Sequence, residues 1–309
     1  MANRLSKEKT LAVLRCLVEG NSIRSTERIT GVHRDTVMRQ LVKFGNACHE
    51  WLDLNLSNLN IDHVEADEIW TFVGKKDKRL TGREKNAGEL GSQYVFLGID
   101  KETKLIAAYR IGKRNDDTTR EFAKDLADRM YRAPDQSGDN RPQVSTDGWP
   151  SYPAAIGDEF GGTVRHGVLI KQYQNPEVGR YAPPTLKRAE RRDINGIDDL
   201  NTICTSHMER HNLTVRTFIK RFTRLSLGFS KKLDNLKAAV ALHVAYYNFC
   251  WRLREKGKSG KRTPTPAMMS GLTDELWDLE RLYDEVMEQS GKDELTRKMD
   301  RLLAAMNRA

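Results

Sequence analysis

Cysteine is scarce in this chain, and long apolar runs are missing. The 309 residues include four cysteines, Cys16, Cys48, Cys204 and Cys250, and no two form a C-x-x-C pair. That spacing excludes a zinc ribbon and a disulfide scaffold, and it suits a reducing compartment. The most apolar stretch, "AAVALHVAYYNFCW", is too short to span a bilayer and carries His243 and Asn248, so it reads as a buried helix. The opening "MANRLSKEKTLAVLRCLVEG" is broken by charges and has no apolar h-region, so no signal peptide is expected. No internal repeat is present. These absences lead to the expectation of a cytoplasmic protein without membrane segments.

What the chain does have is positive charge. Lys and Arg number 52 against 43 Asp and Glu, a formal net charge of +9, which points to a polyanionic partner. Residues 6 to 50 carry helical periodicity. Ser6 is an N-cap, Leu11, Leu14 and Val18 form one stripe, and Gly20 ends it. "NSIRSTERITGVHRDTVMRQLVKFG" then reads as helix, turn at Gly31, helix, with Ile23 and Ile29 buried in the first piece and Val37, Leu41 and Phe44 in the second. Arg34, Thr36, Arg39, Gln40 and Lys43 are left outward, a set of donors suited to phosphates and base edges in a major groove. A helix-turn-helix unit over residues 1–55 that binds DNA is therefore expected; a packing module with a solvated basic face is the plain alternative.

From residue 60 the period shortens to that of strands. "VEADEIWTFVGKK" is the first, and "SQYVFLGID" and "KLIAAYRIGKR" form a hairpin through Asp100 to Thr103. "DDTTREFAKDLADRMY" is an amphipathic helix, "PQVSTDGW" a short strand, "PSYPAAI" a helical turn and "TVRHGVLI" another strand. Residues 172–200 read as a loop insertion with the basic run "LKRAERR", followed by two long helices near 203–225 and 231–252. Residues 253–309 read as a basic linker and C-terminal helices. The class is α/β, and this order is shared by ribonuclease H-like domains among others.

Carboxylates in the first strand are expensive unless something positive meets them. Alternation puts Glu65 and Asp67 on one face and Glu68 on the other, so Asp67 and Glu68 are not expected to share a site. Asp147 lies where "VST" runs into a turn, at the strand end where open α/β sheets bind ligands. Glu209 lies beside the apolar stripe of "TSHMERHNLTVRTFIKRFTR", in line with Asn212 and Arg216. Singly, such acids are more often caps or solvated faces. Together, three acids from two strands and a helix suit Mg²⁺, which takes oxygen ligands, and can hold two ions about 4 Å apart for in-line displacement at phosphorus. The surroundings agree, since residues 209–237 contain eight basic residues against two acids, Glu209 and Asp234.

"ADEIWTFVGKK", "TDGWPSYP" and "MERHNLTVRTFIKRFTRLSLGFS" resemble the three catalytic blocks of insertion-sequence-one family transposases, and "TPAMMSGLTDELWDLERL" resembles the C-terminal segment of their larger relatives. The resemblance covers roughly residues 60 to 280. It implies a DDE transposase with a ribonuclease H-like mixed-sheet catalytic core over 60–252. Asp67, Asp147 and Glu209 would be the catalytic and metal-holding triad, with two Mg²⁺ or Mn²⁺ ions per site. Arg216 matches a basic residue that many such enzymes carry after the Glu, and Lys220, Arg221 and Arg224 would add DNA contacts. The implied partners are double-stranded DNA, as terminal inverted repeats and target, and further copies of the chain in a synaptic dimer or higher oligomer on the bacterial nucleoid. The alternatives within reach of the same residues are a nuclease of that fold without joining activity and a non-catalytic DNA-binding regulator derived from such an enzyme.

Overall fold

Ser6 and Ser22 each accept a backbone amide through the side chain and so start the first two helices, α1 (Lys7–Val18) and α2 (Ile23–Thr30). Gly31, at φ 69°, makes the left-handed turn that ends α2, and α3 (Arg34–Asn55) begins three residues later. The structure, a computed structural model, describes residues 5–130, 141–174, 184–223, 226–254, 260–292, 296 and 299. Within this helical unit Val13, Val32 and Val37 form a small core. The expectation for Ile29 fails, because its side chain is 63% exposed while Thr26 is fully buried. At 100° per residue, Ile29 lies about 240° round the short helix from Ile23 and so leaves the packed face.

Six strands form one mixed sheet: β1 (His63–Val73), β2 (Gly91–Asp100), β3 (Ile106–Gly112), β4 (Gln143–Asp147), β5 (Arg165–Gln174) and β6 (Thr185–Asn195). Their order is β3-β2-β1-β4-β5-β6. β4 runs parallel to β1 and to β5, and the remaining pairs are antiparallel. The β2–β3 turn is held by Asp100, whose carboxylate accepts from the amides of Glu102 and Thr103. A short α4 (Gly82–Ala87), opened by the capping box of Thr81 and Glu84, links β1 to β2. α5 (Asp116–Arg129) covers one face, with Phe122 and Leu126 against Gly98, and α6 (Tyr152–Phe160) packs beside it.

The other face is crossed by α7 (Ser206–Phe218) and α8 (Leu233–Phe249), and Asn248 of α8 pairs with both the amide and the carbonyl of Ile106. α9 (Pro266–Met269) and α10 (Leu279–Ser290) complete the described chain. Two expectations change. The segment near 203–225 is no continuous helix: α7 stops at Phe218, and a single 3-10 turn follows over Lys220–Phe222. The expected loop over 172–200 contains β6, an edge strand exposed along almost its whole length and thus lacking the apolar alternation that announces a strand.

The second half of α3 belongs to the main core. Gly45 lies so close to α8 that a Cβ there would stand 2.3 Å from the Ala238 carbonyl oxygen. Trp51 packs on Phe249 at 4.8 Å and on Trp277 at 5.8 Å between ring centroids. Arg129 of α5 donates to the carbonyls of Leu52 and Leu56, satisfying the C-terminus of α3. One hydrophobic core therefore runs from Leu14 through α3 and α8 to the sheet. Among the described residues no helix is long and apolar enough to cross a membrane.

Candidate active site

β1 and β4 pair in parallel from His63–Gln143 to Ala66–Thr146. β4 ends at Asp147, whereas β1 continues to Val73 with β2 as its strand partner and a single bridge from Val73 to Ser230. The sheet is thus notched beside β1, and Asp67, Glu68 and Asp147 meet at the notch, with one carboxylate oxygen from each within 4.8 Å of the others. The expectation that Glu68 points away is overturned. Alternation separates neighbouring side chains only where the sheet is continuous, and here a long side chain from the far face reaches round the end of β4.

Arg114, just past β3, reaches into the cluster. Its Nη2 lies 3.2 Å from Glu68 Oε2 and 3.3 Å from Asp147 Oδ2, and its guanidinium stacks 4.3 Å over the Trp149 ring. One arginine does not balance three acids. Burial, followed by the charge of Asp147, pushes Asp67 up to about 7; the Glu209 charge adds to this, while the donating Glu68 amide and Lys171 oppose it. Glu68 is raised by burial and then by Asp147, against the pull of Arg114. Asp147 is raised by burial, with the Trp149 amide, Arg114 and Lys171 opposing.

α7 is docked on β1 by an acid that sequence reasoning set beside Asp67. Glu65 is fully buried and accepts from the backbone amides of His207 at 2.8 Å and Met208 at 3.1 Å, and it lies 2.7 Å from His207 Nδ1. It caps the helix and compensates its positive end. This brings Asn212 over the notch, where Nδ2 donates to Asp67 Oδ2 at 2.9 Å. Glu209, in the first turn, sits near enough for its charge to raise Asp67, yet it is outside the close trio. Its carboxylate is paired with Lys171 of β5 and accepts from the Thr205 hydroxyl at 3.1 Å.

The expected DNA contacts lie elsewhere. Arg34, Arg39 and Lys43 are exposed on the first half of α3, with Thr36 and Gln40 half-buried between them, and Arg39 donates to the Thr36 hydroxyl. Arg216, Lys220 and Arg221 are half-buried on α7 and the turn beyond it; Arg224 lies outside the described residues. Arg34 from the first group and Lys220 and Arg221 from the second line one cavity of about 730 Å³, with Leu17, Met38, Phe218 and Leu242 in its wall and Arg24 and Lys231 at it as well.

The donor set at the notch fits a hard divalent cation. It is all oxygen, and it gathers three carboxylates whose described cationic contact is the single guanidinium of Arg114, with the Tyr152 hydroxyl beside Glu68. Burial raises the pKa of all three acids, with the charge of Asp147 adding to it at Asp67 and Glu68, and a divalent cation would offset both causes. The sequence singles out Asp67, Asp147 and the α7 helix, which the structure brings together, but it sets Glu68 on the other face and gives no part to Arg114 or Lys171, which stand beside these acids. Arg114 and Lys171 lie in ordinary basic surroundings, and no local signal separates them from solvated charges.

Comparison with known proteins supports the resemblance drawn from the three sequence blocks. The chain is a distant homologue of the insertion element iso-IS1n protein InsB of Shigella dysenteriae, 24% identical over 185 residues that cover 60% of this chain and 95% of that protein. No protein-family model matches the chain.

Proposed function

We propose that this protein is a DDE transposase of the insertion-sequence-one type, with a ribonuclease H-like core over residues 60–252, an end-recognition unit over 1–55 and a C-terminal brace over 253–309. The observation that carries the reading is the meeting of Asp67 and Asp147 at the end of a parallel strand pair, beneath the helix that bears Glu209. The distant homology to an insertion-element protein supports it independently.

Asp67, Asp147 and Glu209 would hold two Mg²⁺ or Mn²⁺ ions, with Glu68 a fourth carboxylate at the same notch. Bound there, such ions supply Lewis-acid activation of water and stabilise charge developing on phosphate oxygens. The chain's own part is orientation. Asn212 fixes the Asp67 carboxylate, Arg114 holds Glu68 against Asp147, and Lys171 holds Glu209 until substrate arrives. In the first reaction a water oxygen bonds to phosphorus at the element end, the P–O3′ bond breaks and a 3′-hydroxyl leaves. In the second, that hydroxyl bonds to a target phosphorus and the target P–O3′ bond breaks. Phosphorus is attacked directly, so no Ser or Tyr nucleophile is required, and catalysis rests on positioning and charge.

The exposed Arg34, Arg39 and Lys43 of α3 would read the terminal inverted repeats, while Arg216, Lys220 and Arg221 would contact the backbone nearer the acids. Two ends must be brought together, so the working form is at least a dimer. The test is strand transfer with a pre-cut end duplex, built from the repeats flanking the reading frame, in Mg²⁺. Joining products are expected. Cleavage without joining would mean a nuclease, and binding with neither would mean a regulator. Joining that survives Glu209→Gln but not Glu68→Gln would transfer the third metal-holding role to Glu68.

A further inference from the structure

We propose that the β5–β6 ribbon is a second DNA-contacting surface, gripping the backbone of the duplex next to the acid notch; this rests on the reading that the chain acts on DNA. Four observations converge on it. β6 pairs only with β5 among the strands and is exposed on both faces over most of its length; the described chain meets it toward its C-terminal end, where Arg191 donates to the Ile203 carbonyl. Its sequence "LKRAERRD" places Lys187, Arg188, Arg191 and Arg192 on one short strand against Glu190 and Asp193. Glu190 lies between Arg188 and Arg192, 4.0 Å from one and 2.6 Å from the other, which holds both guanidinium groups on one face of the ribbon. The exposed Tyr173 and Leu186 face each other across the two strands.

Register joins this surface to the site. Asp147 pairs with Leu169 and Leu169 with Arg191, so the basic strand stands two strand spacings, about 10 Å, from the notch. At the near end of the ribbon Lys171 already touches Glu209. A two-stranded ribbon fits the major groove of a duplex, and lysine and arginine neutralise its phosphates. A second copy pairing along the β6 edge is the competing occupant, but it would bring two basic strands together, the arrangement that edge strands use to prevent such pairing.

The test uses the full chain and a fluorescent 40-base-pair duplex of arbitrary sequence, titrated over a range of salt concentrations. Each lost phosphate contact lowers the slope of log K against log salt by about 0.9. Lys187→Gln, Arg188→Gln and Arg192→Gln combined should lower it by about 2–3 relative to the parent. Arg192→Gln alone should lower it by about 1 and gives the answer if the triple variant does not fold. An unchanged slope in a folded variant would overturn the ribbon's role and leave the transposase reading standing. A parent that binds no duplex at low salt would sink both. A variant that keeps the parental slope but loses mass in sedimentation would identify the ribbon as a contact between copies and equally overturn the proposal.

Discussion

Asp67 is where burial, repulsion and hydrogen bonding meet. Its carboxylate is raised to about 7 by burial and then by Asp147, although Asn212 and the Glu68 amide both donate to it. A raised carboxylate pKa favours the folded state while the proton is on. For metal-free protein that contribution is fully present below the unfolded value, near 4, and is lost as pH rises through about 7. Divalent cations compete with the same protons, so thermal melts should show a larger Mg²⁺-induced rise in Tm at pH 8 than at pH 5.5. Equal shifts at both pH values would remove Asp67 from the metal site. Asp67→Asn should raise the metal-free Tm at pH 8 by a few degrees, because it relieves the repulsion, and should abolish the Mg²⁺ response together with strand transfer. A variant that joins DNA at the parental rate would contradict its placement in the triad.

At the scale of elements, two contacts decide where the acids stand. Glu65 ties the start of α7 to β1 with charge-assisted hydrogen bonds inside the protein. Glu65→Ala would strand the buried Met208 amide and the half-buried His207 amide and should cost about 2–3 kcal/mol in urea unfolding. It should also reduce strand transfer, since Asn212 and Glu209 ride on that helix. A variant as stable as the parent would show that α7 is held by its apolar stripe alone. The second contact is the α3–α8 crossing at Gly45. In an open helix Gly→Ala stabilises by about 1 kcal/mol. Here the added methyl would meet the Ala238 backbone at 2.3 Å, and overpacking of about 1–3 kcal/mol should win. Gly45→Ala is therefore expected to lower the denaturant midpoint, and a rise would show that the helices part without cost.

For the whole molecule, the continuity of the core from α1 and α3 into α8 and the sheet predicts one cooperative unfolding transition, seen alike by tryptophan fluorescence and far-UV circular dichroism. Separate transitions would make the N-terminal helices an independent domain. For the same reason, truncation of residues 1–55 should unfold the remainder, since it strips Phe44, Cys48, Trp51 and Leu52 from the core. End recognition is better tested by Arg39→Ala, whose exposed side chain leaves that packing intact. It should cost about 1–3 kcal/mol of preference for the end sequence if Arg39 reads a base. Equal weakening on every sequence would make it a phosphate contact instead.

Local chemistry was enough to determine the helical N-terminus with its glycine turn, the β2–β3 hairpin, the α5 helix and the strand positions of Asp67 and Asp147. Each is written in short-range periodicity, caps or turn residues, which depend on neighbours in the chain. What depends on neighbours in space was decided by the tertiary structure. β4 ends one residue beyond its last pair with β1, and that early stop, invisible in either strand alone, lets Glu68 join Asp67 and Asp147 from the opposite face. Glu65 shares a strand face with Asp67, yet a helix 142 residues away docks on it and takes up its carboxylate. β6 has no apolar alternation because it has no second layer to pack on, so its backbone pairing with β5 was legible only once the sheet was assembled. Arg114 and Lys171 acquire their roles in the same way, from long-range approach to acids on other strands and helices.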